Sequence, residues 1–75
     1  MANQKAIYIG SVIRKLRKSK LMSQEDLAEE SKLGLRTITA IEGNKQEPLL
    51  STLYSLALGL DIDILDLVVE IKKEI

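Results

Sequence analysis

Seventy-five residues that include no cysteine, histidine, tryptophan or phenylalanine must hold themselves together with aliphatic side chains. No disulfide and no thiolate zinc site can staple the chain. Nucleophilic pairs that need an imidazole base, and most transition-metal sites, are excluded by the same inventory. No catalysis, metal or cofactor is therefore expected, and no small-molecule ligand is evident. A domain of this length buries only about 60% of the surface that its unfolded chain exposes. Burial against a partner would add stability. Leu, Ala, Glu, Lys and Gln are plentiful, Gly and Pro are few, and an all-α domain fits that composition best.

The apolar residues recur at helical spacing. Ile9, Val12, Ile13 and Leu16 line one face, which predicts a first helix over about Ile7 to Lys18. Ser23 with Asp26 three residues on has the form of a capping box, so a second helix starts near Gln24 and ends near Ser31. Leu27 and Ala28 point inward from it. Lys32, Leu33 and Gly34 leave room only for a tight turn before a third helix, about Leu35 to Gly43, with Ile38 and Ile41 on its inner side. Gly43-Asn44 and then Pro48 interrupt the pattern. A fourth helix runs from about Leu50 to Leu58, with Leu53, Leu56 and Ala57 inward and Gly59 as its stop. Asp61 is the expected cap of a fifth, from Ile62 to about Lys73. The whole chain, residues 1–75, is one domain of five short helices.

Charge is asymmetric although the formal sum is zero. Lys5, Arg14, Lys15, Arg17, Lys18 and Lys20 occupy the first 20 residues with no acid among them, whereas Asp61, Asp63, Asp66, Glu70 and Glu74 outweigh Lys72 and Lys73 at the other end. A polyanion is steered by a local positive face rather than by the sum, although such runs are also simply solvated helix faces. No stretch approaches the roughly 20 apolar residues that span a bilayer, and no signal peptide opens the chain. The expected location is the cytoplasm.

Two short helices joined by about three residues have the dimensions of a helix-turn-helix unit, here about residues 24 to 43. Small helical bundles contain such pairs too. The residues themselves narrow the choice. Met22-Ser-Gln-Glu-Asp-Leu-Ala-Glu29, then Thr37-Ile-Thr-Ala-Ile-Glu42, Pro48, Leu53 and Ala57-Leu-Gly59 closely resemble the phage repressor and Cro-like (XRE-type) family, which includes the controller proteins of restriction-modification systems. The resemblance covers about residues 7 to 67 and implies a lambda-repressor-like DNA-binding domain. It further implies a transcriptional regulator that binds a two-fold operator in double-stranded DNA as a homodimer.

Roles carry over from the resemblance position by position. Gln24 falls where relatives contact a backbone phosphate at the groove edge. Leu35, Arg36, Thr39 and Ala40 occupy the positions that reach base edges, and Arg36 alone among them can hold guanine with two hydrogen bonds. Thr37, Asn44 and Lys45 are expected phosphate contacts. Arg17 and Glu42 look like surface charges, yet in the family the corresponding residues pair. The chain also departs from the family pattern. Lys32 stands where a turn glycine is usual, Gly34 and Leu49 replace capping hydroxyl residues, and Leu35 and Ala40 offer no hydrogen bonds. Shape readout would then supply part of the specificity.

Ile64, Leu65, Leu67, Val68, Val69, Ile71 and Ile75 give the fifth helix more apolar surface than one small core can take up, the mark of an interaction site. Ile64, Val68, Ile71 and Ile75, with Leu65 beside them, form the expected dimer stripe, and Leu67 seals the subunit core. Two other functions remain open from the same residues. One is a protein-interaction module, antitoxin-like or scaffolding, with secondary DNA affinity. The other is the N-terminal domain of a larger repressor.

Overall fold

The computed structural model describes residues 5–75 and contains five helices: α1 (Gly10–Ser19), α2 (Gln24–Ser31), α3 (Leu35–Glu42), α4 (Leu50–Gly59) and α5 (Ile64–Glu74). No strand occurs among the described residues. None of the helices is long and apolar enough to cross a membrane. Ile9, Ile13, Leu27, Ile38, Ile41, Leu56, Leu60 and Leu67 are fully buried and meet in one aliphatic core to which every helix contributes. α2 packs on both α3 and α4, while α5 closes the core against α1 and α4.

Helix starts differ in how their free N–H groups are satisfied. At α2 the expected capping box is present. Ser23 Oγ accepts from Asp26 N at 2.9 Å, and Asp26 Oδ2 accepts from Ser23 N at 2.9 Å. At α5 the cap is Asp63, whose Oδ1 accepts from Leu65 N at 2.7 Å, and not Asp61. The helix therefore begins at Ile64, two residues later than its apolar pattern suggests. α1 likewise starts at Gly10 rather than Ile7, because Ile9 has a non-helical backbone and seats its side chain in the core. Gly34 and Leu49 cap nothing with their side chains, as their chemistry requires.

Helix ends are uniform. The N–H groups of Met22, Leu33, Lys45 and Ile62 each reach back five residues, to the carbonyls of Arg17, Ala28, Ala40 and Ala57, at 2.8–3.1 Å. The residue just before each donor is left-handed: Leu21, Lys32, Asn44 and Asp61, with φ of 57–61°. These are Schellman corners. None uses glycine, so each carries a backbone cost of about 1 kcal/mol. Lys32 behaves as its place in the turn predicts. Gly43 and Gly59, expected as stops, keep negative φ. Gly59 has another duty, because a Cβ there would lie 2.7 Å from Ser31 Cβ and 2.9 Å from that residue's backbone. Its hydrogen lets α2 and α4 cross closely.

Candidate nucleic-acid interface

The buried centre of the helix-turn-helix is polar. Arg17, on α1, donates from Nε to Glu42 Oε2 at 2.6 Å and from Nη2 to Oε1 at 2.9 Å, a two-pronged pair. Both side chains are buried, at 9% and 1% exposure, so they are the pair that the resemblance implies and not surface charges. Gln24 Nε2 donates to Glu42 Oε1 at 3.0 Å, and Arg14 Nε lies 3.7 Å from the same oxygen. Arg17 Nη1 adds a bond to the Met22 carbonyl at 2.8 Å. One carboxylate thus joins α1, the start of α2 and the end of α3. Burial pushes the Glu42 carboxyl up, but the bonds from Arg17 and Gln24 and the charges of Arg17 and Arg14 outweigh it and hold it below the ordinary value. The carboxylate in turn raises the Arg17 guanidinium.

The network aims α3. With Ile38, Ile41 and Glu42 buried on one side, helical spacing places Arg36, Thr39, Ala40 and Gly43 on the opposite side, with Leu35 at its margin. Arg36 and Thr39 are exposed, Leu35 is 42% exposed, and Thr37 and Ala40 are half-buried. The Arg36 side chain has no hydrogen bond or ion pair among the described residues. The first N–H groups of α3 donate to no side-chain cap, which leaves them free to bind an anion such as a phosphate. Gln24 keeps one amide hydrogen beyond its bond to Glu42.

Asn44 and Lys45 extend this surface from the corner after α3, and both are exposed. Asn44 has a second task. Its Oδ1 accepts from Gly10 N at 3.0 Å and serves as the missing N-cap of α1. A Cβ at Gly10 would collide with the last carbonyls of α3. Glu47 similarly accepts from Ile7 N at 2.8 Å. These ties were not foreseen from the residues, although a helix preceded by Ile9 rather than a capping residue had to draw its acceptor from elsewhere.

α5 departs from its expected register. Ile71 is buried beside Leu67, and Ile64 packs half-buried on the same core, so neither lies on an outward stripe. Leu65, Val68 and Ile75 do remain exposed, with Val69. Ile64, Leu67 and Ile71 stand at i, i+3 and i+7 on one helical face, so the side that buries Leu67 takes both isoleucines with it. α4 adds exposed Leu50, Tyr54 and Leu58, one helical turn apart along one face.

The helix-turn-helix family model matches residues 13–67. None of the curated proteins matches the chain. Among solved structures it is similar to the wild-type restriction-modification controller protein C.Esp1396I, with 32% identity over 91% of this chain and 88% of that one and a TM-score of 0.82. A tyrosine-to-phenylalanine variant of that protein, bound to its highest affinity operator site, gives 32% identity, 91% and 90% coverage and a TM-score of 0.82. The controller protein C.AhdI from Aeromonas hydrophila shares 33% identity over 81% of this chain and 92% of its own, with a TM-score of 0.75. With the family model spanning most of the chain and the geometry of α2 and α3 agreeing with it, this chain belongs to the helix-turn-helix family.

Proposed function

We propose that this protein is a DNA-binding transcriptional regulator that acts in the cytoplasm, without catalysis, as a homodimer on a two-fold operator. The observation that carries the reading is the outer side of α3. It combines an unpaired Arg36, an uncapped N-terminus and small side chains, all held in place by the buried Glu42 network. Arg36 takes a guanine edge in the major groove. The free N–H groups at the start of α3, Thr37, Gln24, Asn44 and Lys45 take the flanking phosphates. Support for the DNA target comes also from the operator-bound controller protein to which the chain is similar.

The dimer face differs from the one first expected on α5. Leu65, Val68 and Val69 of α5 join Leu50, Tyr54 and Leu58 of α4. Leu53 of α4 and Val68 of α5 line one groove, and the two helices pack on each other. Covering each such side chain contributes about 1.5–3 kcal/mol. The same contact sets the separation of the two α3 helices, which a two-fold operator requires to be about 34 Å.

Titration of a fluorescent duplex from the region upstream of the gene, against an unrelated duplex, tests the reading. Preferred binding to the first is expected, with affinity falling as the concentration of salt rises by a log-log slope of several units. Equal affinity for both duplexes, or none, refutes it. Arg36→Ala is expected to weaken the preferred site by about 1–3 kcal/mol.

A further inference from the structure

We propose that the groups α3 reads beside its guanine are thymine C5-methyls. The inference rests on the DNA-binding reading above and names the half-site chemistry that reading would select.

The outer side of α3 offers one polar reader and then methyl groups. Thr39 is the only other residue there with a hydroxyl, and its proton is already spent. Oγ1 donates to the Leu35 carbonyl at 2.5 Å, with a longer contact of 3.4 Å to that of Arg36. The back-bond turns the hydroxyl onto the helix and leaves the γ-methyl as the outward part of an exposed side chain. Ala40 contributes a methyl, Gly43 nothing, and Leu35 an isobutyl group at the margin that is 42% exposed. The side chains therefore shrink after Arg36, so the helix can approach the bases closely along its last two turns.

A base pair shows only one apolar group in the major groove, the thymine methyl. Polar edges set against Ala40 and Leu35 would lose water and gain no partner, and Thr39, its proton given to the helix, offers nothing to a base acceptor. The matching half-site is a guanine with thymine on the side covered by Thr39 and Ala40. Removing a single methyl from such a contact should weaken binding about fourfold.

The test uses the full chain and the duplex it enriches from a randomised library. Each thymine beside the guanine is replaced in turn by deoxyuridine, which deletes the methyl and keeps every hydrogen bond, with thymines outside the half-sites as controls. About fourfold weaker binding at one or more of these positions is expected, with no change at the controls. Thr39→Val, which keeps the methyl, should preserve that sensitivity. Thr39→Ser, which keeps the hydroxyl, should abolish it at one position. Where deoxyuridine binds as well as thymidine, or the enriched half-sites carry no thymine beside the guanine, the inference is overturned. A library that enriches no sequence overturns the DNA-binding reading instead, and this inference with it.

Discussion

The N-terminal three helices and the C-terminal two are organised by different physics. α1, α2 and α3 converge on a buried carboxylate whose partners come from α1 and α2. α4 and α5 hold no such group among the described residues and bring Leu, Ile and Ala to the core, with several leucines left exposed. A buried ion pair adds little net stability compared with well-packed hydrophobes, but it fixes geometry, because only one arrangement satisfies all its hydrogen bonds. Apolar contact does the reverse. It supplies free energy with little directional demand. The half that must place α3 to within a fraction of an ångström is the half that uses directional bonds.

Breaking the network should have the largest effect. Glu42→Ala leaves a buried guanidinium without its partner and should cost about 3–5 kcal/mol, enough to unfold much of a domain this small under ordinary conditions. The combination of Arg17→Met with Glu42→Leu should fold nearly as well as the wild type but bind DNA less well, since the aim of α3 is lost. Urea denaturation and duplex titration on both proteins separate the two effects. A double variant with full affinity would show that direction does not depend on the pair.

The apolar half is probed by Leu65→Asp. Leu65 is 70% exposed, so the subunit should keep its fold while the dimer loses about 1.5–3 kcal/mol per subunit. Sedimentation at tens of micromolar should then show a monomer, and the dependence of the melting temperature on protein concentration should vanish. An unchanged dimer would move the interface elsewhere.

A smaller effect should follow from pH. Glu42 titrates below its ordinary value of 4.5 in the folded chain. A lowered folded value means that the unfolded chain binds the proton first, so this stabilisation is complete above the ordinary carboxylate range and is lost as pH falls through the lowered value. Glu42→Gln should therefore flatten the acid limb of stability below the ordinary carboxylate range, on a scale of about 1.4 kcal/mol for each unit of the displacement. An identical limb in both proteins would place the acid sensitivity in exposed groups such as Asp26, lowered by its bonds with Ser23.

The smallest change tests a feature that both halves share. Leu21→Gly removes a left-handed leucine that is 93% exposed and packs on nothing. The relief is about 1 kcal/mol, partly offset by the freedom glycine gains in the unfolded chain, for a net gain of about 0.5 kcal/mol. Asp61→Gly should gain less, since aspartate tolerates the left-handed region better than leucine. Thermal unfolding of the two variants gives the order directly.

How much of this was legible beforehand follows from the range of each signal. The start of α2 could be read because a capping box is local, four residues satisfying one another. The partnership of Arg17 with Glu42 came from resemblance, and the extent of its burial was not legible because it depends on which helices cover it. α5 was placed two residues early because Asp61 and Asp63 carry the same capping chemistry. Only the corner after α4 decides between them, by claiming Asp61 for its left-handed residue. Ile71 belongs to the core because it lies one turn after Leu67 on the same face. The corner at Lys32 was legible, but Leu21 and Asp61 were not, since no glycine stands at the left-handed place to mark it. The surface of α3 was largely legible, because helical spacing from Ile38 and Ile41 settles which side faces out.

Four identical exits from four helices make the chain a set of interchangeable joints. In three of them the residue that donates the closing bond is apolar and partly buried, Met22, Leu33 and Ile62, and it works as a peg. At the fourth, after α3, that place is held by Lys45, exposed at the surface. The backbone is the same at all four, so a single side-chain exchange turns a peg into a handle for a partner outside the fold. A regulator of this kind can revise its grip at such a joint while the path of the chain stays as it was.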